Sequence, residues 1–324
     1  SMIGDAGNDT LFGGVDNDSL WGDDDQRYLP IEHHGTDLLD GEGGNDQLVG
    51  GGNADTLYGG DGDDRMLGDE VQTRVATSAH GDDELYGGAG NDLMVGGGGG
   101  DMLEGGDGND QLQGDDLVSN LAASAHGDDF LDGGAGDDRL YGNGGTDYLA
   151  GGDGNDWLAG EEQEAVNATS TLQGNDTLFG GAGNDTLVGG NGADVIEGGS
   201  GTDYQAGGDG NDLYLLQAGD SEVVGGIVET IDDNQGSNTI RFGAGVTLAG
   251  VYVAATGNPQ DLALSYTGTD AVGIRNGLGG AVARFEFADG SSVTHSELIG
   301  RAADGVIAGT DATGTYTVMG GRTN

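Results

Sequence analysis

A nine-residue repeat runs through the first two thirds of the chain and constrains its fold more than any other feature. The stretch GGAGNDTLV at residues 180–188 has the pattern G-G-x-G-x-D-x-U-x, where U is a large apolar residue, and residues 189–197 and 198–206 follow it closely. The register holds from Gly4 to Leu215. A period this short predicts a solenoid, in which successive units stack on one another.

Each part of the unit has its own physical role. The x-U-x triplet predicts a short strand whose middle side chain points inward. The eighth position is apolar in nearly all units, and it departs from the pattern at Gln205 and then at Tyr214. G-G-x-G-x-D predicts a tight turn, because glycine accepts positive φ and close backbone approach. The fourth position is glycine except at Asp16 and Asn53, and we expect both of these residues to adopt the left-handed conformation.

Two units close one coil, because the second strand then lies opposite the first. Coils stack at about 4.8 Å, the spacing of strands in a sheet. The expected fold is all-β, with two parallel sheets and a thin core of leucines between them. One large apolar side chain for every nine residues stabilises much less than the ordering of nine residues costs. The turns must therefore bind something.

The charge of the chain indicates what the turns bind. The formal net charge is −49, and residues 1–216 contain 46 acidic residues and four arginines. This charge argues against nucleic acid and anionic membranes as partners, and it favours cations. Carboxylates are hard ligands that suit Ca²⁺, which takes six to eight oxygens including backbone carbonyls, whereas Mg²⁺ prefers a strict octahedron. We therefore expect several Ca²⁺ ions.

Other sequence features exclude several classes of protein. The chain has no cysteine, so it contains neither a disulfide nor a thiolate metal site. It has no apolar run of the length that a membrane helix needs, so no membrane insertion by this segment is expected. No signal peptide is visible, and Ser1 and Met2 lead directly into a repeat at Gly4. We therefore expect a fragment excised from a larger protein.

The repeat is similar to the RTX nonapeptide family of secreted Gram-negative proteins. The resemblance implies a right-handed parallel β-roll over residues 4–216, in which the sixth-position aspartates and turn carbonyls bind Ca²⁺ between successive turns on the same edge. It also implies export by the type I secretion machinery, folding on external Ca²⁺, and a secreted, extracellular or cell-surface location. The 19 aspartates implied as metal ligands are Asp9, Asp18, Asp37, Asp46, Asp55, Asp64, Asp83, Asp92, Asp101, Asp110, Asp129, Asp138, Asp147, Asp156, Asp176, Asp185, Asp194, Asp203 and Asp212.

Four inserts of about ten residues interrupt the repeat, near residues 23–34, 69–80, 115–126 and 161–173. The repeat resumes at intervals of 46, 46 and 47 residues, which is four units plus one insert. Four units make two coils, so we expect all four inserts on one edge, about 9.6 Å apart. They are interpreted as neutral extensions of turns, as an edge that binds a partner or ligand, or as additional metal sites.

Histidines and acid pairs mark the ends of the inserts. His34, His80 and His126 precede the point where the repeat resumes, and Gln173 takes this place in the fourth insert. These histidines are too far apart to share one zinc ion, so we expect each to cap or pack its own loop. The acid pairs that begin the inserts are candidates for completing interrupted Ca²⁺ sites. They are Asp23/Asp24, Asp69/Glu70, Asp115/Asp116 and Glu161/Glu162.

The pattern changes after the repeat. Alternating segments such as NTIRFGAG, DLALSY and ARFEFADG predict short antiparallel strands in a β-rich C-terminal cap over residues 217–300. Asp289–Gly290 predicts a hairpin turn, and Thr294 to Glu297 predict a capping box. The segment is similar to the haemolysin-type C-terminal domain. Residues 301–324 are interpreted as a linker or the truncated start of a further module.

The sequence contains no convincing catalytic constellation, so no enzymatic activity is expected. There is neither a G-x-S-x-G elbow nor an H-E-x-x-H motif. The favoured interpretation is a calcium-binding module of a larger secreted bacterial protein, which is unfolded during export and folds outside. Two alternatives remain. One is an adhesin or ligand-binding module that uses the inserts or the cap for a protein or glycan partner. The other is an accessory region of a secreted enzyme or toxin.

Overall fold

The computed structural model describes most of the chain. The described residues are 1–23, 33–69, 80–115, 126–161, 174–220, 229–233, 235–255, 258, 260–267, 270–277, 282–303, 310–311 and 314–315. The chain divides into two compact units, residues 1–177 and 178–324. The inner residues of the four inserts lie outside the described residues.

The first unit consists of short strands that alternate between two parallel sheets. Odd-numbered strands form one sheet and even-numbered strands form the other. The strands are β1 Met2–Asp5, β2 Thr10–Gly14, β3 Ser19–Asp23, β4 Leu38–Glu42, β5 Gln47–Gly51, β6 Thr56–Asp61, β7 Arg65–Asp69, β8 Glu84–Ala89, β9 Leu93–Gly97, β10 Met102–Asp107, β11 Gln111–Asp115, β12 Phe130–Ala135, β13 Arg139–Tyr141, β14 Tyr148–Asp153 and β15 Trp157–Ala159. This alternation confirms the predicted β-roll.

The eighth-position side chains form the core between the two sheets. Leu48 on β5 is in register with Leu20 on β3 and with Met66 on β7. On the other sheet, Leu85 is in register with Leu57 and Leu103. These side chains are fully buried, as the inward position of x-U-x predicts.

Left-handed residues at the second and fourth positions make the turns. Gly60 and Gly62 have φ of 107° and 137°, a region that residues with a Cβ atom rarely occupy. Asn53 at a fourth position has φ of 68°, which confirms its expected conformation. The same expectation for Asp16 is wrong, because Asp16 is not among the described residues with positive φ. In that turn the left-handed residue is Gly14, with φ of 115°, so no residue with a side chain is strained.

The second unit contains the remaining elements. They are β16 Thr177–Gly183, β17 Thr186–Asn191, β18 Val195–Gly201, β19 Tyr204–Asp209, β20 Leu213–Leu216, β21 Glu229–Ile231, β22 Asn238–Phe242, a 3-10 helix Leu248–Gly250, β23 Tyr252–Ala255, β24 Leu262–Ser265, β25 Ala271–Ile274, β26 Val282–Glu286, β27 Ser292–Thr294, α1 His295–Ala303, β28 Thr310–Asp311 and β29 Gly314–Thr315. Among the described residues of the whole chain, no helix is long and apolar enough to cross a membrane.

Parallel pairing continues past the end of the regular repeat. Strand β21 pairs in parallel with β19 and β25, and β22 pairs in parallel with β20 and β26. The prediction of antiparallel pairing is therefore wrong for β22, because the segment GSNTIR at residues 236–241 still follows G-x-D-x-U-x with asparagine for aspartate. Antiparallel pairing begins with β23, β24 and β25, and with β26 and β27.

Two local predictions for the C-terminal segment are confirmed. Strands β26 and β27 form a hairpin whose turn contains Gly290, with φ of 82°. At the start of α1 the backbone N–H of Thr294 donates to Glu297 Oε2 at 2.8 Å, and the N–H of Glu297 donates to Thr294 Oγ1 at 3.3 Å. These reciprocal bonds are the predicted capping box.

Candidate metal centre

The sixth-position aspartates form two hydrogen-bonded ladders in the first unit. In each ladder the backbone N–H of one aspartate donates to Oδ1 of the aspartate one coil further on, as Asp64 does to Asp92 at 2.7 Å. One ladder contains Asp18, Asp46, Asp64, Asp92, Asp110, Asp138 and Asp156. The other contains Asp9, Asp37, Asp55, Asp83, Asp101, Asp129, Asp147 and Asp176. One oxygen of each carboxylate after the first in a ladder thus joins two coils.

The four aspartates that follow the inserts all belong to the second of these ladders. They are Asp37, Asp83, Asp129 and Asp176, and they alternate with Asp55, Asp101 and Asp147. The four points where the repeat resumes therefore lie on one edge of the first unit, two coils apart. We call this the insert edge and the other the plain edge.

The second carboxylate oxygen faces a backbone carbonyl across the first glycine of the repeat. A Cβ atom added to Gly41 would lie 2.4 Å from Asp46 Oδ2 and 2.5 Å from the carbonyl oxygen of Gly59, one coil further on. The same pair of oxygens surrounds Gly59, at 2.4 Å for Asp64 Oδ2 and 2.6 Å for the carbonyl of Gly87. Glycine is required here because any side chain would fill the space between the two oxygens.

These Oδ2 atoms are buried, and within the described part of the chain no donor satisfies them. Such groups are costly, because a buried polar atom without a partner loses its hydration and gains nothing in return. The residues concerned are Asp9, Asp37, Asp46, Asp55, Asp64, Asp83, Asp92, Asp101, Asp110, Asp129, Asp138, Asp147, Asp203 and Asp212.

Without a cation, several of these carboxyls have a raised pKa and hold their protons more tightly than usual. On the plain edge, burial raises the pKa of Asp64 to about 6 and that of Asp92 to about 7. On the insert edge, burial and neighbouring acids raise the pKa of Asp55 to about 9 and that of Asp129 to about 10. Because burial raises these pKa values, the ladder aspartates need a nearby positive charge to be ionised in the folded protein.

The oxygens of the turns fit Ca²⁺. No three acidic or histidine side chains of the described residues come together in a group that could hold a metal, so an ion must also take backbone carbonyls. Ca²⁺ accepts mixed carboxylate and carbonyl ligands in flexible geometry, whereas Zn²⁺ selects nitrogen and sulfur in a tetrahedron. The turns offer such a mixed set, because a carboxylate oxygen faces a carbonyl oxygen at every coil.

Histidine–aspartate pairs close the base of three inserts. The Nδ1 atom of each histidine lies 2.7 to 2.9 Å from Oδ2 of the aspartate that begins the same insert: His34 with Asp23, His80 with Asp69, and His126 with Asp115. These contacts confirm that each histidine caps its own loop. In the fourth insert Glu161 Oε1 accepts a hydrogen bond from the N–H of Gly174 at 3.3 Å.

The aspartates of these pairs also contact the next coil. Asp69 Oδ2 accepts a hydrogen bond from the N–H of Gly98 at 2.8 Å, and Asp69 Oδ1 is buried and accepts none. Asp23 and Asp115 repeat this arrangement with Gly52 and Gly144. The first acid of each pair is therefore buried in the insert edge. The second acids, Asp24, Glu70, Asp116 and Glu162, lie outside the described residues.

In the second unit one ladder has one more member than the sequence predicts. Asp185 donates to Asp203 and Asp194 donates to Asp212, as in the first unit. The N–H of Asp212 then donates to Asn238 Oδ1 at 2.9 Å, so Asn238 takes the sixth position of a further coil. The segment GSNTIR contained this signal, but residues 217–235 interrupt the period before it.

The side chain of Asp233 lies beside the last turn of this ladder. A Cβ atom added to Gly207 would lie 2.3 Å from Asp212 Oδ2 and 2.7 Å from Asp233 Oδ2. Asp233 Oδ2 accepts hydrogen bonds from the Tyr214 hydroxyl at 2.6 Å and from Asn238 Nδ2 at 2.8 Å. The departure at Tyr214 therefore serves to fix a carboxylate beside the last turn.

Comparison with known proteins agrees with this geometry. The chain matches the family model described as RTX calcium-binding nonapeptide repeat (4 copies) over residues 1–29, 35–70, 81–112, 127–158 and 170–205. Breaks between the matched segments fall on the inserts. No curated protein matches the chain. The match ends at residue 205, so the resemblance of residues 217–300 to a haemolysin-type C-terminal domain stays a prediction.

Proposed function

Because this chain belongs to the family of RTX calcium-binding nonapeptide repeats, we propose that it is a calcium-dependent folding module of a secreted protein. In this proposal the sixth-position aspartates supply Oδ2, and the first glycines supply carbonyl oxygens, to a series of Ca²⁺ ions along both edges. Its role is structural and non-enzymatic. It is exported unfolded and folds in the extracellular medium or at the cell surface.

The observation that carries the proposal is the unsatisfied oxygen of each ladder aspartate. Asp92 Oδ2 is buried without a donor, beside Gly87 and the carbonyl of Gly105. Repeated along both edges, these acids make the ion-free roll unfavourable, since they must be either protonated or left as buried charges. Binding of Ca²⁺ removes this cost, so the free energy of metal binding becomes free energy of folding.

The direction of this coupling supports a role in export. A chain with net charge −49 repels itself and stays open when no cation is bound. An RTX repeat is a calcium-binding element, and extracellular calcium modules bind in the range of about 10⁻⁴–10⁻³ M. We infer that the chain passes the type I secretion machinery unfolded as part of its parent protein, and folds where Ca²⁺ reaches this concentration.

Far-UV circular dichroism during a Ca²⁺ titration tests the proposal, with Mg²⁺ as the control. We expect a cooperative change from coil to β-structure with Ca²⁺ and none with Mg²⁺ at equal concentration. The variant Asp92→Asn should require more Ca²⁺ for the same change, because an amide nitrogen replaces one ligand oxygen. A β-spectrum that chelator leaves unchanged would contradict calcium-dependent folding.

A further inference from the structure

In the second unit two polar residues, Gln205 and Glu229, depart from the repeat beside the regular sixth-position aspartate Asp203. Strands β19 and β21 pair with Tyr204 opposite Thr230, and the N–H of Thr230 donates to the carbonyl of Asp203 at 2.8 Å. This register places Glu229 one coil beyond Asp203, in the sixth position of its coil. Gln205 occupies the inward eighth position, where other units have leucine.

The three side chains are almost completely buried. The exposed fraction is 2% for Asp203, 0% for Gln205 and 1% for Glu229. Gln205 Nε2 donates a hydrogen bond to Glu229 Oε1, so the two head groups lie together. This bond fixes the orientation of both groups inside the coil.

Each of these side chains has one oxygen that accepts no hydrogen bond from the described residues. The atoms are Asp203 Oδ2, Gln205 Oε1 and Glu229 Oε2. Three buried acceptors without a donor lower the free energy of unfolding, whereas the leucine that the repeat would place in the eighth position would raise it. The ion pairs of the described part of this unit use Arg241, Arg275 and Arg284 with other acids, so none of them compensates Glu229.

We propose that Gln205 and Glu229 bind one further Ca²⁺ ion, which shares the motif ligand Asp203 with the turn at Gly198, in a site that the nonapeptide motif does not specify. Carboxylate and amide oxygens are the ligand types that Ca²⁺ takes in proteins, and the set lacks the nitrogen and sulfur that select Zn²⁺. The inference rests on the proposed function, because it requires that the roll binds Ca²⁺ at all.

This ion would join the final coil to the strands that follow the repeat. Glu229 on β21 is in register with Val272 on β25, which pairs in turn with antiparallel β24. A cation held by Glu229 therefore ties the regular turn at Asp203 to the strands that continue the same sheet beyond the repeat. Such a tie would stabilise the end of the solenoid, where the stacking of regular coils stops.

Counting bound Ca²⁺ in the full chain tests the site. Native mass spectrometry of the calcium-loaded protein should show one ion fewer in Glu229→Gln than in the wild type. The matched control is Glu197→Gln, which removes one negative charge from a half-buried glutamate in the same unit and should leave the count unchanged. An unchanged count in Glu229→Gln overturns the inference.

Substitutions at Gln205 keep the test decisive if Glu229→Gln does not fold. With a bound ion, Gln205→Glu replaces an amide oxygen by a carboxylate oxygen, so this variant should fold in Ca²⁺ with the full count of ions and a stability close to that of the wild type. Without an ion, it places a second acid against buried Glu229, so the variant should then be much less stable than the wild type in saturating Ca²⁺. The latter result overturns the inference.

The ion count also separates failure of this site from failure of the proposed function. Wild-type protein that binds no Ca²⁺ would overturn both. A normal wild-type count with no loss in Glu229→Gln overturns this site alone.

Discussion

His80 Nδ1 lies 2.7 Å from Asp69 Oδ2, and this contact joins the two ends of an insert where it leaves the roll. Asp69 is buried, and its Oδ2 also accepts the N–H of Gly98 in the next coil. The histidine therefore closes the loop and gives a buried acid of the insert edge a hydrogen-bond partner. The same pair occurs at His34 and at His126, so the arrangement belongs to the base of the insert and not to one loop sequence.

His80→Ala should loosen the insert without changing the fold of the roll. Removal of the ring leaves Asp69 with fewer partners in a buried position, which costs about 1–3 kcal/mol of folding free energy. Limited proteolysis of the calcium-loaded protein should show faster cleavage within residues 70–79. His80→Asn restores a donor near the position of Nδ1 and should recover most of the loss. His33→Ala, which removes an exposed side chain, is the control, and equal cleavage in both alanine variants would argue against the role of His80.

Alanine at the first position of one turn should disrupt Ca²⁺ binding, whereas alanine at the third position should not. In Gly41→Ala the new methyl group would lie 2.4 Å from Asp46 Oδ2 and 2.5 Å from the carbonyl of Gly59, so it fills the candidate ion site. We expect a loss of about 1–3 kcal/mol from the clash and weaker Ca²⁺ binding by isothermal titration calorimetry. In Gly43→Ala the nearest atom is 3.8 Å away, so stability and Ca²⁺ binding should be close to wild type. If both variants bind Ca²⁺ alike, the oxygens around Gly41 are not ligands.

Glu42→Gly should stabilise the protein. Glu42 occupies a second position, where most turns have glycine, and its φ is 66°. A residue with a Cβ atom in this left-handed region costs roughly 1 kcal/mol relative to glycine, so the midpoint of thermal unfolding in Ca²⁺ should rise. Glu104→Gly, in the extended strand β10, should lower it. A fall in stability for Glu42→Gly would show that its side chain contributes more than its conformation costs.

The ion-free protein should become less stable as pH rises from about 4 to about 7. Burial raises the pKa of Asp64 to about 6, and that of both Asp92 and Asp138 to about 7, from an ordinary value of 3.8. Between these values the folded state binds more protons than the unfolded state. The stabilisation is complete below the ordinary value and is lost as pH rises through 6 to 7.

Far-UV circular dichroism in chelator at pH 5.5 and at pH 8, followed through thermal unfolding wherever β-structure is present, measures this effect. High salt is the control for general repulsion among acids, because it screens exposed charges much more than buried ones. We expect the difference between the two pH values to persist in high salt and to disappear in saturating Ca²⁺, where the ion replaces the protons. Higher ion-free stability at pH 8 than at pH 5.5 would contradict the burial of these carboxyls.

The coil itself was predictable from local pattern. A strict nine-residue period places the eighth position of each unit inward and the sixth position at a turn. The leucine core and the two rows of aspartates therefore follow from the spacing. The same arithmetic places Asp37, Asp83 and Asp129 on one edge, because four units return the chain to the same side. Asn53 could also be predicted, since the turn requires φ that asparagine tolerates. Asp16 could not, because its turn uses Gly14 alone for the left-handed residue.

The sequence by itself determined where the acids lie along the coil, whereas only the tertiary structure decided which of their oxygens are free for an ion. The N–H of Asp64 takes Oδ1 of Asp92, 28 residues away, and such a bond depends on the stacking of coils and not on any single repeat. The same is true of the pair His80 and Asp69 and of Gln205 with Glu229. The pairs His80 with Asp69 and Gln205 with Glu229 both lie where the nine-residue period is interrupted, so the period does not predict them. Burial and hydrogen bonding between distant segments then select the partner, because a buried charge is stable only where the fold supplies one.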